Sequence, residues 1–197
     1  MTRQEKREQT FELIVNSALE MFGEKGYDNT SISDIAKLAI VSKGISYHYF
    51  KSKDEMYLYC IEVLIKEISE YFELHISQEQ DVEKGMEIFI MLGARFVEEN
   101  PKYKMLLFNI ASDRPAHLKD EIIERKKTFF DSNIRLYEQM LSKMTLGKGV
   151  TKEFAIKGFS VLQYALPTLI QIHGESGINE FMIELIKTYI KGLQVDK

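Results

Sequence analysis

The chain has 197 residues, 45% hydrophobic and 28% charged, with 3 prolines and 11 glycines, a composition that excludes intrinsic disorder and low-complexity spacers. Its one cysteine, Cys60, excludes an internal disulfide and a cysteine-built zinc site, and the lack of a long uncharged apolar run argues against a membrane span and for a cytoplasmic protein. The net charge of −4 disfavours a phosphate-rich partner in bulk, yet the stretch from Lys37 to Lys53 holds four lysines and no acid.

Helical periodicity runs through the chain. Phe11, Ile14, Val15, Ala18, Leu19 and Phe22 recur at spacings of three and four, which predicts an amphipathic helix from about Lys6 to Gly23, closed by Gly26. Ser31 to Asp34 reads as a capping box opening a short helix that carries Ile32, Ile35, Ala36 and Leu38. A new helix starts at Ser42 and runs to Tyr49, leaving only Ala39 to Val41 for the turn, and two short helices joined this tightly form a helix-turn-helix. Ser52-Lys53-Asp54-Glu55 opens a long helix to about Ser77, apolar on much of its circumference and so expected to be a buried spine.

Five helices are expected beyond it. They run from Val82 to Val97, from Asn100-Pro101, from His117 to Met144, from Thr151 to His173 with a kink at Pro167, and from Ile178 to about Leu193 after a break at Glu175-Ser176-Gly177. The expected fold class is all-α with about nine helices, divided into an N-terminal three-helix domain over 1–52 and a larger helical domain over 53–197.

In a helix-turn-helix the first helix braces the second, whose N-terminal side chains reach base edges in the major groove. Lys43 can donate to guanine or phosphate, Gly44 permits close backbone approach, and Tyr47, His48 and Tyr49 are rigid side chains with polar tips. Lys53 at one helix start, and Thr30 or Ser31 at another, suit phosphate. Phe50 is expected in the core. A basic, aromatic, acid-free stretch of this kind predicts double-stranded DNA as a partner.

The run Ile14, Ala18, Leu19, Phe22, Gly26, Tyr27, Thr30, Ile32, Ile35, Ala36, Val41, Ser42, Lys43, Gly44, Tyr47, His48, Tyr49, Phe50, Ser52, Lys53 and Asp54 resembles the N-terminal domain of the tetracycline-repressor (TetR) family. The resemblance implies an all-helical homodimer whose three N-terminal helices bind an operator and whose divergent larger domain binds a small-molecule effector. It puts the DNA contacts on Thr30, Ser31, Lys43, Gly44, Tyr47, His48, Tyr49 and Lys53. Two positions depart from the family pattern. Ile40 stands where the turn usually has glycine, and Ser46 where the recognition helix usually has a large apolar residue, a space that Ile45 or Ile40 is expected to fill.

In the larger domain, Met91, Arg95, Phe108, Phe130, Tyr137 and Gln163 are candidates for lining an effector cavity, with Arg95 alternatively paired to Glu98 or Glu99 along its helix. Phe159, Leu162, Leu166, Phe181, Leu185 and Tyr189 are the candidate homodimer interface through the last two helices. Cys60 is expected to be a small buried hydrophobe. His75, His117 and His173 have no metal-binding spacing, no cofactor is expected, and no nucleophile elbow, phosphate loop or paired carboxylates suggest an enzyme. The expected function is a ligand-responsive transcriptional regulator, in the first instance a repressor. The alternative, which Ile40 and Ser46 motivate, is a small-molecule-binding protein with a degenerate helix-turn-helix.

Overall fold

Thr2 opens the first helix. Its hydroxyl accepts the Glu5 amide at 3.1 Å while the Glu5 carboxylate accepts the Thr2 amide at 2.8 Å, a reciprocal cap that starts α1 (Arg3–Lys25) ahead of the apolar stripe. The computed structural model describes residues 2–76, 82–112 and 114–194, with the side chains at 82, 83, 86, 90, 166–180, 182 and 183 not described. Gly26, at φ 73°, closes α1 by returning its N–H to the Phe22 carbonyl at 3.0 Å.

Three serines then set the next helix starts. Ser31 accepts the Asp34 amide at 3.2 Å to cap α2 (Ile32–Leu38), Ser42 accepts the Ile45 amide at 3.3 Å to cap α3 (Lys43–Tyr49), and Ser52 accepts the Glu55 amide at 3.0 Å ahead of α4 (Lys53–Ile76). There follow α5 (Val82–Glu99), a 3₁₀ turn (Pro101–Tyr103), α6 (Lys104–Ala111), a second 3₁₀ turn (Ala116–Leu118), α7 (Lys119–Leu141) and α8 (Lys152–Leu193). Thr151 caps α8 by accepting the Phe154 amide at 3.1 Å. Asn100 makes no side-chain cap bond, so Pro101 alone, with φ already fixed, starts the turn it precedes.

The chain forms two compact units, 1–66 with 100–125, and 67–99 with 126–197. The first is built on Ile14, Ala18, Leu19 and Phe22 of α1, Ile35 of α2, and Met56, Tyr57, Cys60, Ile61 and Leu64 of α4, all buried. Burial pushes the Cys60 thiol well above its ordinary range, so it stays a protonated apolar filler. The 3₁₀ turn Pro101–Tyr103 lies directly on α1 at Gly23, where a Cβ would come within 1.6 Å of the Lys102 carbonyl oxygen. Tyr103 is fully buried.

The second unit has an aromatic centre. Phe159 stacks on Tyr137 at 4.1 Å and on Phe89 at 5.1 Å, and Phe72 meets Phe89 and Phe129 edge-on. The Tyr137 and Tyr189 hydroxyls lie 2.8 Å apart, and Tyr189 donates to the Ala155 carbonyl.

Residues 152–193 are one continuous helical run where two helices were expected, but the run is not straight. A straight helix of this length would span roughly 63 Å. Yet its ends meet, since Gly147 donates to the Leu193 carbonyl at 2.9 Å and Tyr189 touches Ala155 and Gly158. The run therefore folds back into two arms, one ending at Ala165 and the other resuming at Phe181 as far as side chains are described. The kink expected at Pro167 and the break expected at Glu175-Ser176-Gly177 fall within 166–180, whose side chains are not described. No described helix is long and apolar enough to cross a membrane.

Candidate nucleic-acid interface

The α3 helix has two unlike sides. Ser46 and Phe50, one turn apart, are buried, while Lys43, Gly44, Tyr47 and His48 are exposed. The Lys43 ammonium lies 5.8 Å from the centre of the Tyr47 ring, which steadies both at the open face. At Gly44 an added Cβ would meet nothing nearer than the Ser42 hydroxyl at 3.9 Å, so this part of the helix surface is bare backbone.

Tyr49 has a second role. It is half-buried, its hydroxyl donates to the Arg7 carbonyl at 3.0 Å, and its ring packs on Phe11 at 5.5 Å, so it pins α3 to α1. Thr30 is also withdrawn from the surface. It is buried, and its hydroxyl donates into the Gly26 and Met21 carbonyls at 2.8 and 3.1 Å, closing the connection between α1 and α2. Ser31 is exposed at the start of α2, donating to the Asp34 carboxylate at 2.6 Å. Lys53 opens α4 with its ammonium 3.9 Å over the Tyr27 ring. Arg3 and Arg7, which the sequence did not single out, line a groove with His48 and Tyr49.

Both departures from that pattern leave a mark on the structure. Ile40 adopts φ 56°, the left-handed conformation that favours glycine, and is 92% exposed. Ser46 is 0% exposed and its hydroxyl has no hydrogen-bond partner among the described residues. Ile40 and Ile45 do not fill the space beside it, because both are exposed. Ile40→Gly removes a strained, solvent-exposed β-branched side chain at the cost of a freer unfolded chain, and is expected to stabilise the protein by about 1 kcal/mol, read as a raised melting midpoint.

In the second unit a cleft of about 500 Å³ lies between α5 and the last arm of α8. Met91 and Arg95 line it, with Ile88 and Ile186 as further apolar wall and Lys84, Glu87 and Lys187 as charged rim. The other candidate cavity residues lie elsewhere. Phe108 belongs to the first unit, Tyr137 is fully buried in the aromatic centre, Phe130 stacks on Tyr164 at 4.8 Å, and Gln163 is half-buried on α8. Lys126, one turn before Phe130, is 5% exposed and sits 5.9 and 5.8 Å from the Phe130 and Tyr164 ring centres, a buried cation that the apolar pattern hid.

Of the candidate interface residues, Phe159 is fully buried and Tyr189 is half-buried and hydrogen-bonded inward, so both serve the core of the unit itself. Leu162 and Leu185 are half-buried and Phe181 is exposed. The Leu166 side chain lies outside the described residues. Phe154, Val161 and Tyr164, which were not singled out, are exposed on the first arm of α8.

Two short helices joined by a tight turn, the second presenting a lysine, a bare glycine and aromatic tips on its open face, define a helix-turn-helix DNA-binding domain. Residues 14–60 match the family of bacterial regulatory proteins called the tetR family. It is 36% identical over 83 residues to the transposon Tn10 TetC protein of Escherichia coli, a match spanning 42% of this chain and 40% of that one. To IcaR of Staphylococcus epidermidis, the negative transcriptional regulator of the biofilm operon icaADBC, it is 26% identical over 129 residues, covering 64% of this chain and 68% of that one. The fold is similar to that of the fatty acid degradation regulator FadR from Bacillus halodurans, with a TM-score of 0.73 at 17% identity over 90% of this chain and 94% of the other.

Proposed function

We propose that the chain is a transcriptional repressor that binds a palindromic operator as a homodimer, with α3 in the major groove, and is released by a small-molecule effector. The observation that carries this reading is the open face of α3, where Lys43, Tyr47 and His48 surround the bare backbone at Gly44. Lys43 and the aromatic tips supply donors to base edges and phosphates, and Lys53 and Ser31 supply further phosphate contacts at helix starts. Tyr49 ties the reading helix to α1, and Thr30 closes the connection between α1 and α2.

Two recognition helices must be presented together to read a two-fold site, which needs a dimer. The apolar side chains of Phe154, Val161 and Phe181 on the arms of α8 supply the surface for a second copy. The cleft between α5 and α8 is the proposed effector site. Its rim sets Lys84, Arg95 and Lys187 against Glu87, the one acid among the described lining residues, over an apolar wall, which suits an acidic amphiphile. Such a ligand releases DNA only to the extent that it binds the non-binding conformation better.

Selection of bound sequences from a random duplex pool tests the reading. A single palindrome is expected to emerge. A pool that stays random after repeated rounds would favour the alternative, a ligand-binding protein whose helix-turn-helix has lost its specific target.

A further inference from the structure

His117 sits on the 3₁₀ turn Ala116–Leu118, in the segment joining α6 to α7, and lies far from α4 in sequence. Even so, its Nε2 is 3.2 Å from Asp54 Oδ1 and 3.3 Å from the Tyr27 hydroxyl, all within the first compact unit. The Tyr27 hydroxyl donates to the same Asp54 oxygen. Burial, and then that bond, pushes the Tyr27 phenol well above its ordinary range, so it remains a donor. The bond from Tyr27, followed by the contact with His117, holds the Asp54 carboxyl below the usual carboxylate range. With the single phenolic proton already given to Asp54, the imidazole Nε2–H is the donor in the second contact.

Tyr27 is also the platform for Lys53, whose ammonium lies 3.9 Å from the ring centre. The ring is fixed from its other sides by Tyr57 at 5.0 Å, by the His117 ring at 5.4 Å and by Phe22 at 6.3 Å. The segment that carries His117 is itself tied down. The Tyr57 hydroxyl donates to the Arg114 carbonyl at 3.2 Å, and the Arg114 amide donates to the Asn109 carbonyl at 2.8 Å.

We propose that His117 is a positioning residue for the phosphate contact of Lys53: its Nε2–H fixes the Asp54 carboxylate and Tyr27, and the Tyr27 ring in turn holds the Lys53 ammonium in place. The inference rests on the DNA-binding reading and adds to it a specific route by which the α6–α7 connection controls the strength of DNA binding. Moving that connection away from α4 removes the donor and the His117 ring contact, loosens the Tyr27 ring on that side and lets the ammonium shift from its position.

The test is duplex binding by the full chain across a salt series, on the selected operator and on a scrambled duplex, for wild type, Lys53→Gln, His117→Leu, His117→Asn, His117→Gln and the Lys53→Gln/His117→Leu double variant. Loss of one phosphate contact per protomer flattens the slope of log affinity against log salt by about 0.9 per protomer. Lys53→Gln and His117→Leu are each expected to show that flattening with about a three- to tenfold loss of affinity, and the double variant is expected to be no weaker than Lys53→Gln. His117→Gln, which keeps a donor of similar reach, restores affinity to within about twofold, whereas His117→Asn, which is too short, behaves as His117→Leu. A wild-type slope in His117→Leu and His117→Asn, or losses that multiply in the double variant, would overturn the proposal. Equal wild-type affinity for the two duplexes would instead sink the specific-regulator reading, with the Lys53 and His117 coupling still readable on either duplex.

Discussion

Gly23→Ala is expected to lower stability by about 3 kcal/mol or more, because the new methyl would sit 1.6 Å from the Lys102 carbonyl oxygen. The obstacle is backbone, so no side-chain rotation relieves it. The 3₁₀ turn Pro101–Tyr103 has to withdraw from α1, taking the fully buried Tyr103 with it. For a chain of this size each 1 kcal/mol moves the midpoint by about 2–4 °C, so thermal unfolding is expected to shift down by roughly 6–12 °C. An unchanged midpoint would mean that the turn does not rest on α1 as described.

Gly44→Ala is expected to act in opposite directions on folding and on DNA. A methyl there meets nothing closer than 3.9 Å, and alanine is the better helix former, so the variant should be as stable as wild type or more stable by up to about 1 kcal/mol. That methyl projects from the open face beside Lys43 and Tyr47 and keeps α3 from closing on the groove. With contacts worth about 1–3 kcal/mol each at stake, operator affinity is expected to fall about 10- to 100-fold. Melting and operator binding measured on one preparation separate the two effects. Full operator affinity in a stable Gly44→Ala protein would put the DNA contact elsewhere on the molecule.

Local chemistry made the N-terminal domain legible. The serines at 31, 42 and 52 act through amides three residues ahead, so the sequence itself carries their capping role. Thr2 obeys the same rule with Glu5, but it lies outside the apolar stripe that marked α1, and the helix starts earlier than that stripe implied. Ile40 was recognisable as unsuited to its turn from residue type alone, and its backbone takes the disfavoured conformation.

Long-range packing is where the sequence ran short. Thr30 and Tyr49 carry polar tips in a polar stretch, and only the nearness of the Gly26 and Arg7 carbonyls turns those tips inward. On α8, apolar side chains occur on several sides, so periodicity cannot separate buried Phe159 from exposed Phe154 and Val161. Tyr137 and Lys126 belong to the same class, since Phe159 and Tyr164 of α8 pack on them from far along the chain. His117 meets Asp54 across 63 positions of sequence, and no local pattern announces such a pairing.

The most direct measurement of the central claim is the affinity ratio of the full chain for its selected palindrome over a scrambled duplex at physiological salt. A chain that reads bases through Lys43, Tyr47 and His48 is expected to prefer the palindrome by about 10³-fold or more. A ratio near one, with both affinities falling together as salt rises, would contradict sequence-specific recognition by α3.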